Sequence, residues 1–149
     1  MKRFLQAFVY ALRGVADSVR RGRNIRVELT LAVYALLLSA VTLTTPGQWA
    51  AVLIVIGMVL GAEVFNTAIE ALCDRVTKER NEEIRFVKDA AAGAVLLCAI
   101  AAAAVGVLLF FGFGGLTRLL DYCRAHIWYP VLLAALAPPA LWFICRKPR

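Results

Sequence analysis

Glu63, Asn66, Glu70 and Asp74 recur at helical spacing inside an otherwise apolar run, GAEVFNTAIEALCD. An α-helix advances about 100° per residue, so Asn66, Thr67, Glu70 and Asp74 all fall within about 60° of Glu63. Val64, Phe65, Ala68, Ile69, Ala71 and Leu72 fill the remaining surface. Carboxylates on such a helix cost roughly 2.5–3.5 kcal/mol each to insert into lipid, so they must face protein, water or a bound cation. A purely structural stripe, hydrogen-bonded to a neighbouring helix, is the simpler account. Two carboxylates and an amide at i, i+3 and i+7 exceed what that role needs. They offer hard oxygen ligands to a divalent cation and leave one carboxylate free as a base.

The elements that must position this stripe follow from composition. A chain of 149 residues that is 62% hydrophobic, with mean hydropathy +0.75, carries too little charge to cover a water-soluble globule. It reads as a small all-α polytopic membrane protein. The net charge of +7 does not indicate nucleic acid. Lys2, Arg3, Arg13, Arg20, Arg21, Arg23 and Arg26 precede the first apolar run, and Arg146, Lys147 and Arg149 follow the last, the pattern of cytoplasmic membrane edges. Cys73, Cys98, Cys123 and Cys145 show no CxxC spacing and read as reduced, apolar thiols. His126 stands alone at the start of an apolar run, an interfacial position, and no removable signal is expected at the start of the chain.

Residues 1–21 carry Phe4, Leu5, Phe8, Val9, Leu12 and Val15 opposite Lys2, Arg3, Arg13, Asp17 and Arg20, which predicts an amphipathic helix lying in the membrane interface. Gly22 breaks that pattern, and Asn24 is the expected cap of the next helix. A first span is expected over 25–44, and an uncharged outer turn at Thr45-Pro46-Gly47-Gln48. A second span over 49–73 opens at Trp49 and holds Gly57 and Gly61 as a GxxxG. A charged connection over 74–89 suits nucleotide contact. A third span follows over 90–111. The segment 113–149 adds a short amphipathic stretch, Leu116 to Ala125, and a fourth span over 128–145 that Pro138-Pro139 should bend. Crossing by crossing, this places both termini and the charged loop on the cytoplasmic side of the membrane, with the stripe at the inner leaflet.

Phosphoryl transfer needs a cation to neutralise phosphate charge and a base near the acceptor hydroxyl. The stripe supplies both where ATP arrives from water and a lipid alcohol arrives laterally. The chain has no GxxxxGK[ST] cradle, so side chains must hold the phosphates.

The run Glu63-Val-Phe-Asn66-Thr-Ala-Ile-Glu70-Ala-Leu-Cys-Asp74-Arg75, followed by Lys88-Asp89-Ala-Ala-Ala-Gly-Ala-Val-Leu, resembles the prokaryotic integral-membrane lipid kinases, the diacylglycerol kinase and undecaprenol kinase family. The resemblance covers roughly residues 1–112, which read as a lipid-kinase membrane domain with 113–149 as an extension. It implies that Glu63 is the general base and that Asn66 positions the acceptor or the base. It also implies that Glu70 binds a Mg²⁺ bridging the ATP phosphates, and that Lys88 neutralises phosphate beside Asp89. Arg3, Tyr10, Glu79, Arg80 and Asn81 align with nucleotide contacts. Arg23-Asn24-Ile25-Arg26-Val27 and the NTAIE spelling look closer to undecaprenol kinases than to diacylglycerol kinases. The family is also homotrimeric, with active sites shared between subunits. The sequence departs from it at Gly22, where the family has a metal-binding glutamate, and in the fourth span. Glu28, about 240° further round the helix, cannot simply replace that ligand. A proton-coupled transporter and an inactive relative are the competing readings. A transporter would hold its acids nearer the bilayer midplane.

Overall fold

The computed structural model describes residues 2–77, 79 and 81–146, and they form an all-α membrane protein. The helices are α1 (Lys2–Arg21), α2 (Asn24–Thr42), α3 (Pro46–Val76), α4 (Glu82–Val107), α5 (Gly115–Ala125), α6 (Trp128–Ala135) and α7 (Ala137–Cys145). Among the described residues four helical runs are long and apolar enough to cross a membrane: Asn24–Thr42, Pro46–Val76, Glu82–Gly112 and Trp128–Cys145. The apolar stripe of α1 points outward, with Phe4, Leu5, Phe8 and Leu12 each more than half exposed and Phe4 edge-on to Phe8. Having no core beneath it, that stripe suits the lipid interface.

Local chemistry sets the helix ends. Thr45 opens α3 with a capping box: its hydroxyl accepts from the Gln48 N–H at 3.3 Å, and the Gln48 side chain accepts from the Thr45 N–H at 3.2 Å. Pro46, with no N–H to lose, occupies the first turn. The helix therefore starts before Trp49. At the other end it runs to Val76, and Asn81 starts α4 by accepting from the N–H groups of Glu83 and Ile84 at 2.9 and 3.2 Å. Glu82 and Glu83 in the first turn of α4 complement its dipole. Most of the charged stretch 74–89 is thus helical, and the connection itself is 77–81. Asn24 does not cap α2: the capping position is Arg23, whose side chain makes no capping bond.

α3 packs along α4 and against α2, giving a three-helix sheaf. The four cysteines are free thiols. A π turn, Leu108–Gly112, ends α4, and the chain reverses at Gly114, whose φ of 69° suits glycine. A Cβ on Gly115 would lie 2.7 Å from the Leu109 carbonyl oxygen, so only glycine fits that crossing.

Residues 115–146 then fold back along α2. Arg118 of α5 donates to the Thr42 carbonyl at 2.7 Å, closing the C-terminal end of α2. Tyr129 of α6 donates to the Leu37 carbonyl at 2.6 Å, and Tyr34 of α2 donates to the Leu133 carbonyl at 3.1 Å. Tyr122, His126, Trp128 and Tyr129 form an aromatic cluster at the start of this run, with His126 stacked on Tyr122 at 4.3 Å. The fourth span bends at Leu136, between α6 and α7 and just before Pro138-Pro139. Those prolines remove the N–H groups that would have continued a single helix.

Candidate active site

α3 is longer than a bilayer needs. At about 1.5 Å per residue, the roughly 20 residues that cross the hydrocarbon reach from Trp49 to about Ala68. Glu63 and Asn66 thus lie in the last apolar turns, and Glu70 and Asp74 lie beyond them. Their exposure follows the same order: Glu63 is 4% exposed and Asn66 5%, whereas Glu70 and Asp74 are exposed. Asn66 Nδ2 donates to Glu70 Oε1 at 3.1 Å. Its Oδ1 is buried with no hydrogen-bond partner among the described residues. A buried carbonyl oxygen left unpaired in this way is uncommon and destabilising. It lies beside carboxylates, where a cation or a hydroxyl proton can satisfy it.

A cavity of about 310 Å³ runs between α2, α3 and α4 toward this cluster. Its walls are apolar, reaching Leu43 and Phe110 at one end and Leu60 and Glu28 at the other. Glu28 is the one acid among the described residues lining it. A long apolar trough therefore ends at an acidic head, with Leu60 less than one turn before Glu63.

The remaining expected site residues are placed unevenly. Lys88 Nζ pairs with Asp74 Oδ1 at 2.5 Å, tying the start of α4 to the end of α3. Asp89 is exposed beside it. Asn81 is occupied as the cap of α4, and the Glu79 N–H donates to Thr77 Oγ1 at 3.0 Å while its side chain is exposed. Arg80 lies outside the described residues. Arg3 and Tyr10 are exposed on α1, which packs on α3 and α2 through its far end, where Ser18 is buried. Gly22 lies in the α1–α2 joint, and a Cβ there would meet Thr67 Oγ1 at 3.5 Å. That is the next residue after Asn66. Glu28, by contrast, lines the trough, so Gly22 and Glu28 address different parts of the site. A Cβ added at Gly57 or Gly61 would meet nothing within 4 Å among the described residues.

Among the described residues no group of three His, Cys, Asp or Glu side chains is close enough to enclose a metal ion. The exposed carboxylate of Glu70 would fit a Mg²⁺ that kept most of its waters, a set of hard oxygen ligands. Sequence reasoning alone neither places Glu28 at the site nor gives Arg26 a role. Glu28 carries the signal of an acid inside an apolar span. Arg26 carries the corresponding signal of a cation in the opening turns of one.

Comparison with known proteins gives the chain a family. The family model for prokaryotic diacylglycerol kinase matches residues 9–110. The undecaprenol kinase of Bacillus subtilis (strain 168) is 32% identical over 110 residues, 74% of this chain and 89% of that protein. The diacylglycerol kinase of Synechocystis is 38% identical over 104 residues, 68% of this chain and 59% of that protein. No solved structure matches the chain. The matched segment holds α2, α3 and α4 with the whole polar face of α3, and stops before Gly114 and the fold-back along α2. The chain belongs to the prokaryotic diacylglycerol kinase family.

Proposed function

We propose that this chain is an ATP- and Mg²⁺-dependent lipid kinase that phosphorylates the hydroxyl of a membrane lipid alcohol, with undecaprenol the favoured acceptor and diacylglycerol the alternative. One observation carries the reading: a buried carboxylate, Glu63, follows within one turn of Leu60, the α3 residue lining the inner end of an apolar trough, and lies within one turn of a buried, half-satisfied amide, Asn66. The names of the two relatives support a lipid acceptor. The preference for undecaprenol rests on the Arg23-Asn24-Ile25-Arg26-Val27 segment and the NTAIE spelling, which look closer to undecaprenol kinases.

In this reading the trough holds the hydrocarbon tail and delivers the hydroxyl to Glu63. Glu63 takes the hydroxyl proton as the oxygen attacks the γ-phosphorus of ATP and the bond to ADP breaks. Asn66 Oδ1 orients the hydroxyl, and its Nδ2 holds Glu70 in place. Glu70 is the residue that would hold Mg²⁺, which when bound neutralises phosphate charge. Lys88, fixed by Asp74, adds a positive charge at the polar end. Arg3, Tyr10, Glu79, Arg80, Asn81 and Asp89 are proposed nucleotide contacts.

The basic residues before the first span support an active site on the cytoplasmic side of the bacterial inner membrane. The open faces at Gly57 and Gly61, and the outward apolar surface of α3 and α4, support a homotrimer with shared sites. The test is direct. Purified protein is given radiolabelled ATP and Mg²⁺ with undecaprenol, with diacylglycerol, or with no lipid. Label in the lipid extract with undecaprenol above diacylglycerol is the expected result. Absence of label with either alcohol overturns the kinase reading.

A further inference from the structure

Arg26 is 4% exposed in the opening turns of a membrane span, a position where a bare guanidinium is costly. Two of its three nitrogens are engaged, both by backbone oxygens. Nε donates to the Gly22 carbonyl at 3.0 Å, and one terminal nitrogen donates to the carbonyls of Phe143 and Arg146 at 3.1 and 2.5 Å. Phe143 is in the last turn of α7, where helix carbonyls lack helical partners and the dipole favours a cation. Arg146, just past that turn, places its own guanidinium 5.5 Å from the centre of the Trp142 ring. The other end of the bond network is the α1–α2 joint. Gly22 abuts Ser18 and Ile25, and its missing side chain would point at Thr67, next to Asn66. One buried cation therefore ties the end of the fourth span to the joint that sets where α1 lies over the polar face of α3. The fourth span lies outside the family match.

We propose that Arg26 is a positioning residue for the kinase reaction: through it the C-terminal span holds the α1–α2 joint, and so holds α1 in register with the nucleotide end of α3. The inference rests on the kinase reading for its assay. Arg118 is the natural control, because it tethers the same C-terminal segment to α2 by a carbonyl bond at the opposite end of the bundle, away from the polar face.

The experiment compares Arg26→Gln, Arg26→Met and Arg118→Gln with the unaltered full chain, measuring KM for MgATP, KM for the lipid alcohol, kcat and thermal midpoint. Loss of a buried charge-assisted bond at the joint is expected to raise KM for MgATP about tenfold in both Arg26 variants. KM for the lipid is expected to stay within about twofold. Arg118→Gln is expected to lower the thermal midpoint and leave KM for MgATP unchanged. Equal KM for MgATP in the unaltered and Arg26-altered chains overturns the proposal and leaves Arg26 a stability residue. So does an equal rise in the Arg118 variant.

Should neither Arg26 variant fold, spin labels at Leu12 and Trp142 on an otherwise cysteine-free chain decide the matter. One narrow distance distribution supports a latched joint, and a broad one refutes it. An unaltered chain that phosphorylates no lipid counts against the kinase reading alone, and the same distance measurement then decides the latch.

Discussion

Asn66 gives its amide N–H to Glu70 across one turn of α3, and its own carbonyl oxygen is left buried and unpaired. One end of this side chain is committed and the other is kept free. That asymmetry is what a site needs if it is to hold an acid in place and still accept a proton or a cation from a visitor.

Glu63→Gln keeps the shape of the buried side chain and removes its basicity. The expected outcome is a loss of roughly 100-fold or more in kcat, the usual range for a general base, with KM for MgATP and the thermal midpoint little changed. Steady-state lipid phosphorylation and thermal unfolding check it together. Unchanged turnover would remove Glu63 from the chemistry.

Gly22→Glu places a carboxylate beside Thr67, where the family's metal-binding glutamate is expected. Half-saturation by Mg²⁺ should fall severalfold, since a second carboxylate strengthens the hold on a hard cation. The new Cβ would meet Ile25 Cγ2 at 3.1 Å and the Ser18 carbonyl at 3.2 Å, so a slightly lower thermal midpoint should accompany the gain. A Mg²⁺ titration that does not shift would show that the joint does not address the cation.

Ala102 lines the trough between α2, α3 and α4. Ala102→Phe fills part of that volume with a ring. If the trough takes the lipid tail, KM for the lipid alcohol should rise about tenfold or more while KM for MgATP stays put, because the tail gives up several buried methylenes at about 0.8 kcal/mol each. A KM for MgATP that moves instead would point to general distortion.

Gly115→Ala tests the turn that launches the C-terminal extension. Its Cβ would clash with backbone, the Leu109 carbonyl at 2.7 Å, which cannot swing aside as a side chain does. Destabilisation of about 1–3 kcal/mol is expected, read as a lowered unfolding midpoint in detergent. Gly57→Ala, with open space around it, should leave that midpoint nearly unchanged.

Hydropathy and helical period make a large part of this molecule legible in its sequence: four apolar runs, an interfacial first helix and an acidic face on the second run. The placement of Glu63 and Asn66 inside and of Glu70 and Asp74 outside follows from those same two signals. The helix ends are harder to read. Thr45 and Asn81 cap through single oxygens, so the charged stretch reads as a loop, while Asn24 has a capping side chain that the fold does not use. The partners of Arg26, Arg118, Tyr34 and Tyr129 are all backbone carbonyls. Every residue has such a group, so no pattern of residue types announces which one is taken.

The 31 residues of α3 make a rod of about 46 Å, against about 30 Å of hydrocarbon. The surplus carries the acids into water only while the slab stays thin. In a thicker membrane the rod must stand upright or draw Glu70 toward the oil, so turnover in vesicles of graded acyl length should decline on the thick side.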